Sequence, residues 1–515
     1  MKRLALWHRL LCYFCIAVLA WGLFPAPASA LSFAKSPHTD IQPYLDRAIE
    51  KVTEFTLDNG LRFIVFERHE APVVSFATYA DVGGADEPDG KTGVAHFLEH
   101  LAFKGTSRIG TRDYAAEKPL LDRLDELISQ KKAAIAANNN EAVEKLTVEL
   151  LQVQQQADAL SIQNQFGQIV EQAGGKGLNA GTSIDFTVYT YSLPANKLEL
   201  WMSLESERFL DPVFREFFKE QDVILEERRW RTDNSPIGQL VEAFQDEAFT
   251  VHPYKRPVIG YDEDIRNLTP QDIRDFFELY YVPNNMTIAI VGDVDPDRVR
   301  ELAQVYFGRY PAKPAPPEVT IVEPPQQETR TTTLTLRSEP VYLEGFHRPS
   351  LNHPDSAVYD AIAAILSNGR TSRLYKSLVE EQQIALSASG FTGFPGDKHP
   401  NLMMLYAMTA PGHTLEEVGM ALEAEVDRLK SEPVNPEELE RVKTQARAGI
   451  LYSLDSNSGL AYSLVEYQAK TGNWRNLFEQ LQKIEAVTAE DILRVARATF
   501  TPENKTIGKL LKDES

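Results

Sequence analysis

Apolar and polar positions alternate from Val52 to Phe66, on either side of an Asp-Asn-Gly turn. Alternation with a period of two is typical of strands, and Asn-Gly between two such runs is a strong hairpin signal. The apolar run 73–82 predicts a third strand, and a loop rich in Gly, Asp and Pro over 83–90 leads into a helix. Strands and helices mixed in this order predict an α+β fold, in which helices pack on a sheet.

Two segments 219 residues apart resemble each other. Residues 269–288 and 488–507 share seven identities over twenty positions without a gap. Unrelated segments of ordinary composition match at about one position in twenty, so we infer that a helix–loop–strand unit has been duplicated. The fold is therefore predicted to consist of two related α/β halves.

A Pro-rich stretch separates the two copies. Six of the sixteen residues from Tyr310 to Pro325 are proline, and such a composition gives a semi-rigid, extended spacer. We place the first half at 31–310, the linker at 311–328 and the second half at 329–515.

One segment of the first half breaks the symmetry. Residues 115–163 are rich in Leu, Glu, Lys, Gln and Ala, and their apolar positions recur at helical spacing on both sides of an Asn triplet at 138–140. Because Asn favours turns, an antiparallel helical hairpin inserted into the first half is predicted. We assign the hairpin a packing role rather than a catalytic one.

The first 30 residues have the features of a secretory signal peptide. A basic start is followed by an apolar run from Leu10 to Phe24 and by a small-residue cleavage site at 28–30. An uncleaved anchor is the less favoured alternative, because a spanning helix needs about 20 apolar residues. We expect export to the periplasm or the extracellular space, or to a lumenal compartment, and no association with a membrane once the signal is removed.

Charge and cysteine content narrow the chemistry. The chain carries 53 Lys+Arg and 74 Asp+Glu; without the signal, which holds three basic residues and no acidic one, the net charge changes from −21 to −24. An acidic chain argues against nucleic acid as the main partner. Both cysteines, Cys12 and Cys15, lie in the signal, so the mature chain has no thiol chemistry and must bind any metal through His and carboxylate.

Two histidines and a glutamate lie close together on one predicted helix. His96 and His100 are four residues apart and share a helix face, so both imidazoles can reach one ion. Glu99 lies beside His100, where its carboxylate can take a proton from water. The other positions of this helix are largely apolar, and His-x-x-Glu-His is the inverted zinc-protease signature. The sequence therefore predicts a Zn2+ site.

A catalytic zinc site usually has three protein ligands, and a carboxylate-rich helix over 217–229 offers the third. Glu220 and Glu227 are seven apart and share a face, whereas Glu226 points about 100° away from Glu227. Spacing alone leaves both Glu220 and Glu227 as candidates.

These segments resemble the pitrilysin-type, or M16, metallopeptidases, which include insulysin and mitochondrial processing peptidase. The resemblance rests on residues 96–100, 177–189 and 220–227. Together with the unit at 283–285 and the organisation in two halves, it spans nearly all of the mature chain. It implies a zinc-dependent endopeptidase that acts on short or unfolded peptides.

The resemblance also implies a role for each residue of the motifs. His96, His100 and Glu227 would bind zinc, Glu99 would be the general base, and Glu220 would be a supporting acid. An edge strand that begins at Asn179 and Ala180 would bind the extended substrate as an added strand. The family spacing between the second His and the Glu ligand is shorter by about the length of the helical hairpin, which is therefore interpreted as an insertion.

The second half departs from the family pattern. Complete members carry an Arg and a Tyr seven apart that hold the substrate carbonyl; Val379 and Leu386 stand at these positions and cannot donate a hydrogen bond. We considered Arg370 or Arg373 with Tyr375 as substitutes, and assign them to packing and solvation.

Some family members work as pairs in which one subunit supplies zinc and the other supplies the Arg and Tyr. The resemblance therefore implies that this chain is the zinc-bearing member of a heterodimer, with a homologous M16 subunit as its partner. Two alternatives stay open: a catalytically idle structural or assembly subunit, and a self-sufficient homodimeric peptidase.

Overall fold

The computed structural model describes residues 41–513. The predicted signal peptide and both cysteines lie outside the described residues. Eleven strands and seventeen α-helices lie within them, arranged around two sheets. No helix in the described range is long and apolar enough to cross a membrane.

The first half contains a six-stranded sheet in the order β1-β2-β6-β3-β5-β4. The predicted hairpin forms β1 and β2, and Gly60 adopts the positive φ of 96° that its turn needs. β2 and β6 are parallel, and every other pair is antiparallel. β4 lies at one edge. The strands are β1 Val52–Thr56, β2 Arg62–Glu67, β3 Val73–Ala80, β4 Lys176–Thr182, β5 Thr187–Pro194 and β6 Met286–Gly292.

Eleven helices belong to this half of the chain. They pack on the sheet, on one another and on the second half. The helices are α1 Gln42–Glu50, α2 Val94–Leu101, α3 Tyr114–Ala136, α4 Asn140–Leu160, α5 Gln165–Gln172, α6 Leu198–Leu210, α7 Phe217–Arg228, α8 Pro236–Ala248, α9 Asp262–Asn267, α10 Pro270–Tyr280 and α11 Pro296–Tyr306.

The second half repeats the sheet topology of the first. Its five strands follow the order β7-β11-β8-β10-β9, with β7 and β11 parallel. This order matches β2-β6-β3-β5-β4 position by position, so β9 is the counterpart of β4. The strands are β7 Arg330–Leu336, β8 Val341–Arg348, β9 Ala385–Phe394, β10 Asn401–Thr409 and β11 Lys505–Lys512. The helices are α12 Ser356–Ser367, α13 Leu415–Ser431, α14 Pro436–Asp455, α15 Asn457–Thr471, α16 Asn476–Ala486 and α17 Ala489–Thr499.

The repeated segment forms the same local structure twice. α10 and α17 each begin with a capping box, in which Thr269 and Asp272, or Thr488 and Asp491, bond to each other's backbone N–H. Each helix is followed by one 3-10 turn and then by a central strand, β6 or β11. The predicted fold of two related α/β halves is confirmed. Residues 311–327 form neither helix nor strand, while the exact boundaries of the halves remain predictions.

Each half covers one face of the other half's sheet. Helix α8 of the first half packs on β7 and β11, with Leu240 and Phe244 fully buried. Helix α15 of the second half packs on β3 and β6, with Leu460 and Leu464 fully buried. Two of the hydrophobic clusters are therefore shared, and the halves cannot separate without exposing them.

Phe244 fits closely against the second sheet. A Cβ on Gly345 would lie 2.7 Å from its Cζ, and a Cβ on Gly508 would lie 3.0 Å from its Cδ2. We expect Phe244→Ala to lower the free energy of unfolding by about 3–5 kcal/mol, because it leaves a cavity between the halves. Urea unfolding measures the change. Met420→Ala, at a side chain that is 70% exposed, is the control; a loss no larger than the control's would contradict the prediction.

The predicted helical hairpin consists of α3 and α4, which pack on each other through Leu124, Leu127 and Leu150. The turn between them lies at the Asn triplet, where Asn138 has a φ of 53°. A buried ion pair fastens the hairpin to the first half: Arg215 Nε donates to Glu117 Oε1 at 2.9 Å.

Candidate metal centre

Helix α2 carries the His-x-x-Glu-His motif, and a buried carboxylate caps its N-terminus. Glu87 accepts hydrogen bonds from the backbone N–H groups of Gly93 and Ala95, both at 2.9 Å. A hydrogen-bond acceptor is favourable at this end of a helix because the first N–H groups lack partners within it. Burial raises the pKa of Glu87 to about 8, although these hydrogen bonds oppose the shift.

Helix α7, which carries Glu220 and Glu227, packs directly on α2. The rings of Phe97 and Phe217 stack with centroids 4.6 Å apart, and Ile224 is fully buried in the same cluster. These apolar contacts fix the separation of the two helices and bring the carboxylates of α7 to the histidines of α2.

His96, His100 and Glu227 converge on one point. Glu227 Oε2 lies 3.8 Å from His96 Nε2 and 3.6 Å from His100 Nε2. The ligand atoms of all three residues lie within 4.8 Å of one another. The distances from Glu227 Oε2 to the two histidines are longer than hydrogen bonds, and His96 Nδ1 is buried without a hydrogen-bond partner among residues 41–513.

This donor set fits Zn2+. Two atoms that bind one tetrahedral zinc at about 2.0–2.1 Å lie roughly 3.3 Å apart, slightly less than the 3.8 and 3.6 Å from Glu227 Oε2 to the two histidines. Burial brings the pKa of His96 well below its usual value, so the imidazole is neutral, as a metal ligand must be.

Glu220 contacts the Nδ1 side of the His100 ring. Its Oε2 lies 3.2 Å from His100 Nδ1, and Lys104 Nζ donates to both Glu220 and Glu216. Burial alone would raise the pKa of Glu220, but the hydrogen bonds with His100 and Lys104 outweigh it and bring the pKa to about 2. The carboxylate is therefore ionised and orients the His100 ring. Between the two acids that spacing left open, only Glu227 faces the histidine Nε2 atoms.

Arg231 holds the other oxygen of Glu227. Its Nη2 lies 2.6 Å from Glu227 Oε1, which leaves Oε2 to face the histidines. Helix α7 ends at Arg228, and a π-helical turn over Arg229–Asp233 carries Arg231. Such turns occur frequently at functional sites. The sequence analysis missed this residue, although an Arg four positions after a ligand Glu is a readable signal.

Replacing Arg231 by methionine is expected to raise the Kd for zinc about 10–100-fold, because residues that orient metal ligands contribute that much to affinity. Competition with a chelator measures the constant. Arg229→Met is the matched control, since Arg229 pairs with Glu226, which is 68% exposed. Equal zinc affinity in both variants would contradict a supporting role for Arg231.

Glu99 lies on helix α2 with both histidines, beside the three candidate ligands. Thr182 Oγ1 donates to its Oε2 at 2.8 Å. Burial raises the pKa of Glu99, while the nearby charge of His100 and the hydrogen bond from Thr182 oppose the shift. A partly buried carboxylate with a raised pKa beside a candidate metal site is suited to proton transfer.

Strand β4 borders the site and has one open edge. Within the described part of the chain it pairs only with β5, where Asn179 lies opposite Thr190 and Ala180 opposite Tyr189. Asn179 is exposed, whereas Ala180 packs against the core of the first half. Thr182, the last residue of β4, is the one that bonds to Glu99.

The residues at the family's Arg and Tyr positions lie in the second half. Val379 packs against the second-half core, and Leu386 is 53% exposed on the edge strand β9. Arg373 donates two hydrogen bonds to Glu438, at 3.0 and 2.8 Å. Its guanidinium is therefore engaged within the second half.

Two family models match the chain. Residues 62–119 match the model described as Insulinase (Peptidase family M16), and residues 267–446 match the model described as Peptidase M16 inactive domain. A curated relative, the zinc protease PqqE of Helicobacter pylori, is 28% identical over 467 residues, which are 89% of this chain and 92% of that protein.

Solved structures show the same likeness. The crystal structure of a protease from Helicobacter pylori has a TM-score of 0.76 at 27% identity and covers 89% of this chain and 99% of that one. The periplasmic protease PqqL from Escherichia coli has a TM-score of 0.68 at 19% identity, which is a likeness of fold, over 90% of this chain and 48% of that one. The chain belongs to the M16, or insulinase, family of peptidases.

Proposed function

We propose that the chain is a zinc-dependent endopeptidase. The observation that carries the proposal is the convergence of His96, His100 and Glu227 on one point, with the partly buried carboxylate of Glu99 on the helix that carries both histidines. Zinc, when bound by these three residues, would polarise the scissile carbonyl and make water a better nucleophile.

The protein's own residues transfer the proton and hold the zinc-binding side chains in place. Glu99 accepts a proton from the attacking water and then delivers it to the leaving amine. Glu220 keeps His100 in place, and Arg231 does the same for Glu227. The partial burial of Glu99 supports its role, because a raised pKa brings the carboxylate closer to the pH at which it must both take and return a proton.

The substrate class follows from strand β4. A peptide that is short or unfolded can add to the open edge of β4 as a further strand, held by its main chain. Asn179 and Ala180 would contact it there. A folded protein has few segments free to bind in this way, so we propose extended peptides as the substrates.

We further propose that activity needs a second, homologous M16 subunit. Val379 and Leu386 offer no donor to the oxyanion that develops during hydrolysis, and such donors contribute about 10²–10³ in kcat. The partner would supply the missing Arg and Tyr. The signal-like first 30 residues support export to the periplasm or beyond as the place where the pair acts.

Peptide hydrolysis by the zinc-loaded chain, alone and mixed with a homologous chain that carries the Arg and Tyr, tests the proposal. We expect the pair to exceed the single chain by about 10²-fold or more in kcat. Full activity of the single chain would favour a self-sufficient homodimer. No hydrolysis by either preparation would favour a structural or assembly subunit.

A further inference from the structure

The carboxylate of Glu99 is held from strand β4 rather than from its own helix. Its one hydrogen bond from the described range 41–513 is that of Thr182 Oγ1 to Oε2, at 2.8 Å. A bond from a hydroxyl to an ionised carboxylate is charge-assisted and is about twice as strong as a neutral one. Thr182 therefore takes up Oε2 and leaves Oε1 available to a water molecule.

The hydroxyl of Thr182 is itself directed by buried neighbours. Thr187 lies opposite it in the β4–β5 register, with the two Oγ1 atoms 3.4 Å apart. Thr187, which is fully buried, donates its single proton to the carbonyl of Val82 at 3.1 Å. Since each hydroxyl has one proton to donate, and the contact of Thr182 with Glu99 is the shorter of its two, its proton goes to the carboxylate.

The strand that offers its open edge to a peptide is thus the strand that orients the base. Asn179 and Ala180, where the peptide would add, lie three and two residues before Thr182 on β4. Any shift of β4 on peptide binding moves the Thr182 hydroxyl and, with it, the carboxylate of Glu99.

We propose that Thr182 is a positioning residue that fixes the Glu99 carboxylate from the substrate-binding strand and so couples peptide binding to the orientation of the base. This inference rests on the proposed role of Glu99. It assigns Thr182 a task that neither zinc binding nor packing requires.

Three variants of the full chain, assayed with its partner where activity requires one, test the proposal. Thr182→Val removes the hydroxyl at nearly constant volume, Thr182→Ser keeps it, and Thr190→Val is a matched control on the neighbouring strand. We expect Thr182→Val to lower kcat about 10–100-fold, with KM within twofold and zinc content unchanged. We expect Thr182→Ser and Thr190→Val to stay within threefold of the wild type.

Crystal structures of the two Thr182 variants give a readout independent of activity. The Glu99 carboxylate should keep its position in Thr182→Ser and rotate in Thr182→Val. The inference is overturned if kcat of Thr182→Val stays within twofold of the wild type, if Thr182→Ser is equally impaired, or if the carboxylate does not move. A Glu99→Gln variant as active as the wild type would instead overturn the proposed function, and the inference with it.

Discussion

Replacing Glu99 by glutamine is expected to lower kcat for peptide hydrolysis by about 10²–10⁴-fold, the usual contribution of a general base. Glutamine has nearly the same size and can still accept the hydrogen bond from Thr182, but it cannot accept a proton from water. Because His96, His100 and Glu227 are untouched, the variant should bind as much zinc per chain as the wild type, for which we expect one ion. Steady-state kinetics together with metal analysis measure both properties.

Glu226→Gln is the control for this experiment. Glu226 lies beside the ligand Glu227 but is 68% exposed and pairs with Arg229. Its replacement removes one carboxylate from the same helix without touching the site, so kcat should change less than twofold. A Glu99→Gln variant that retains the wild-type rate would exclude Glu99 as the base.

Replacing His96 by alanine should abolish stable zinc binding. Zinc binding at structural sites releases about 10–16 kcal/mol over four ligands, or about 3 kcal/mol for each, which is roughly two orders of magnitude in affinity. The loss leaves His100 and Glu227 as the only direct ligands that the described part of the chain supplies. Zinc content after dialysis against a weak chelator, and peptide hydrolysis, should both fall to background.

His413→Ala controls for the removal of a histidine as such. His413 lies two residues before helix α13, far along the chain from the motif, and its Nδ1 contacts Glu417 Oε2 at 3.3 Å. Zinc content should stay at the wild-type level in this variant. If His96→Ala kept its zinc under the same dialysis, the proposed ligand set would be wrong.

Much of the metal centre could be predicted because it depends on local spacing. The helix period brings His96 and His100 to one face. The same period places Glu220 and Glu227 on one face, so spacing alone does not show which of them is the ligand. What separates these two acids is packing between helices, which is set by the contact of Phe97 with Phe217 and is not encoded in the spacing of either helix.

The supporting residues could not be predicted for the same reason. Lys104, Thr182 and Arg231 reach the site from a loop, a strand and a π-helical turn. Their roles depend on how these elements meet in space. The family resemblance pointed to the strand that contains Thr182 but gave no sign that its last residue bonds to Glu99.

At the level of the fold, the duplication was readable from residues 269–288 and 488–507, because Thr, Asp, Pro and Asn recur where a capping box and a turn need them. The sequence did not predict that α8 and α15 each pack on the sheet of the other half. Apolar faces on these helices predict burial but do not indicate which of two similar sheets will cover them.

A single half, expressed without the other, would leave uncovered the sheet face that receives the exchanged helix, and its own helix would project without a sheet to pack on. Two identical copies of such a unit would cover each other's exposed sheet faces by swapping their helices, as domain-swapped dimers do. Joining the two halves in one chain through the Pro-rich linker makes this exchange of helices intramolecular, so that it does not depend on protein concentration.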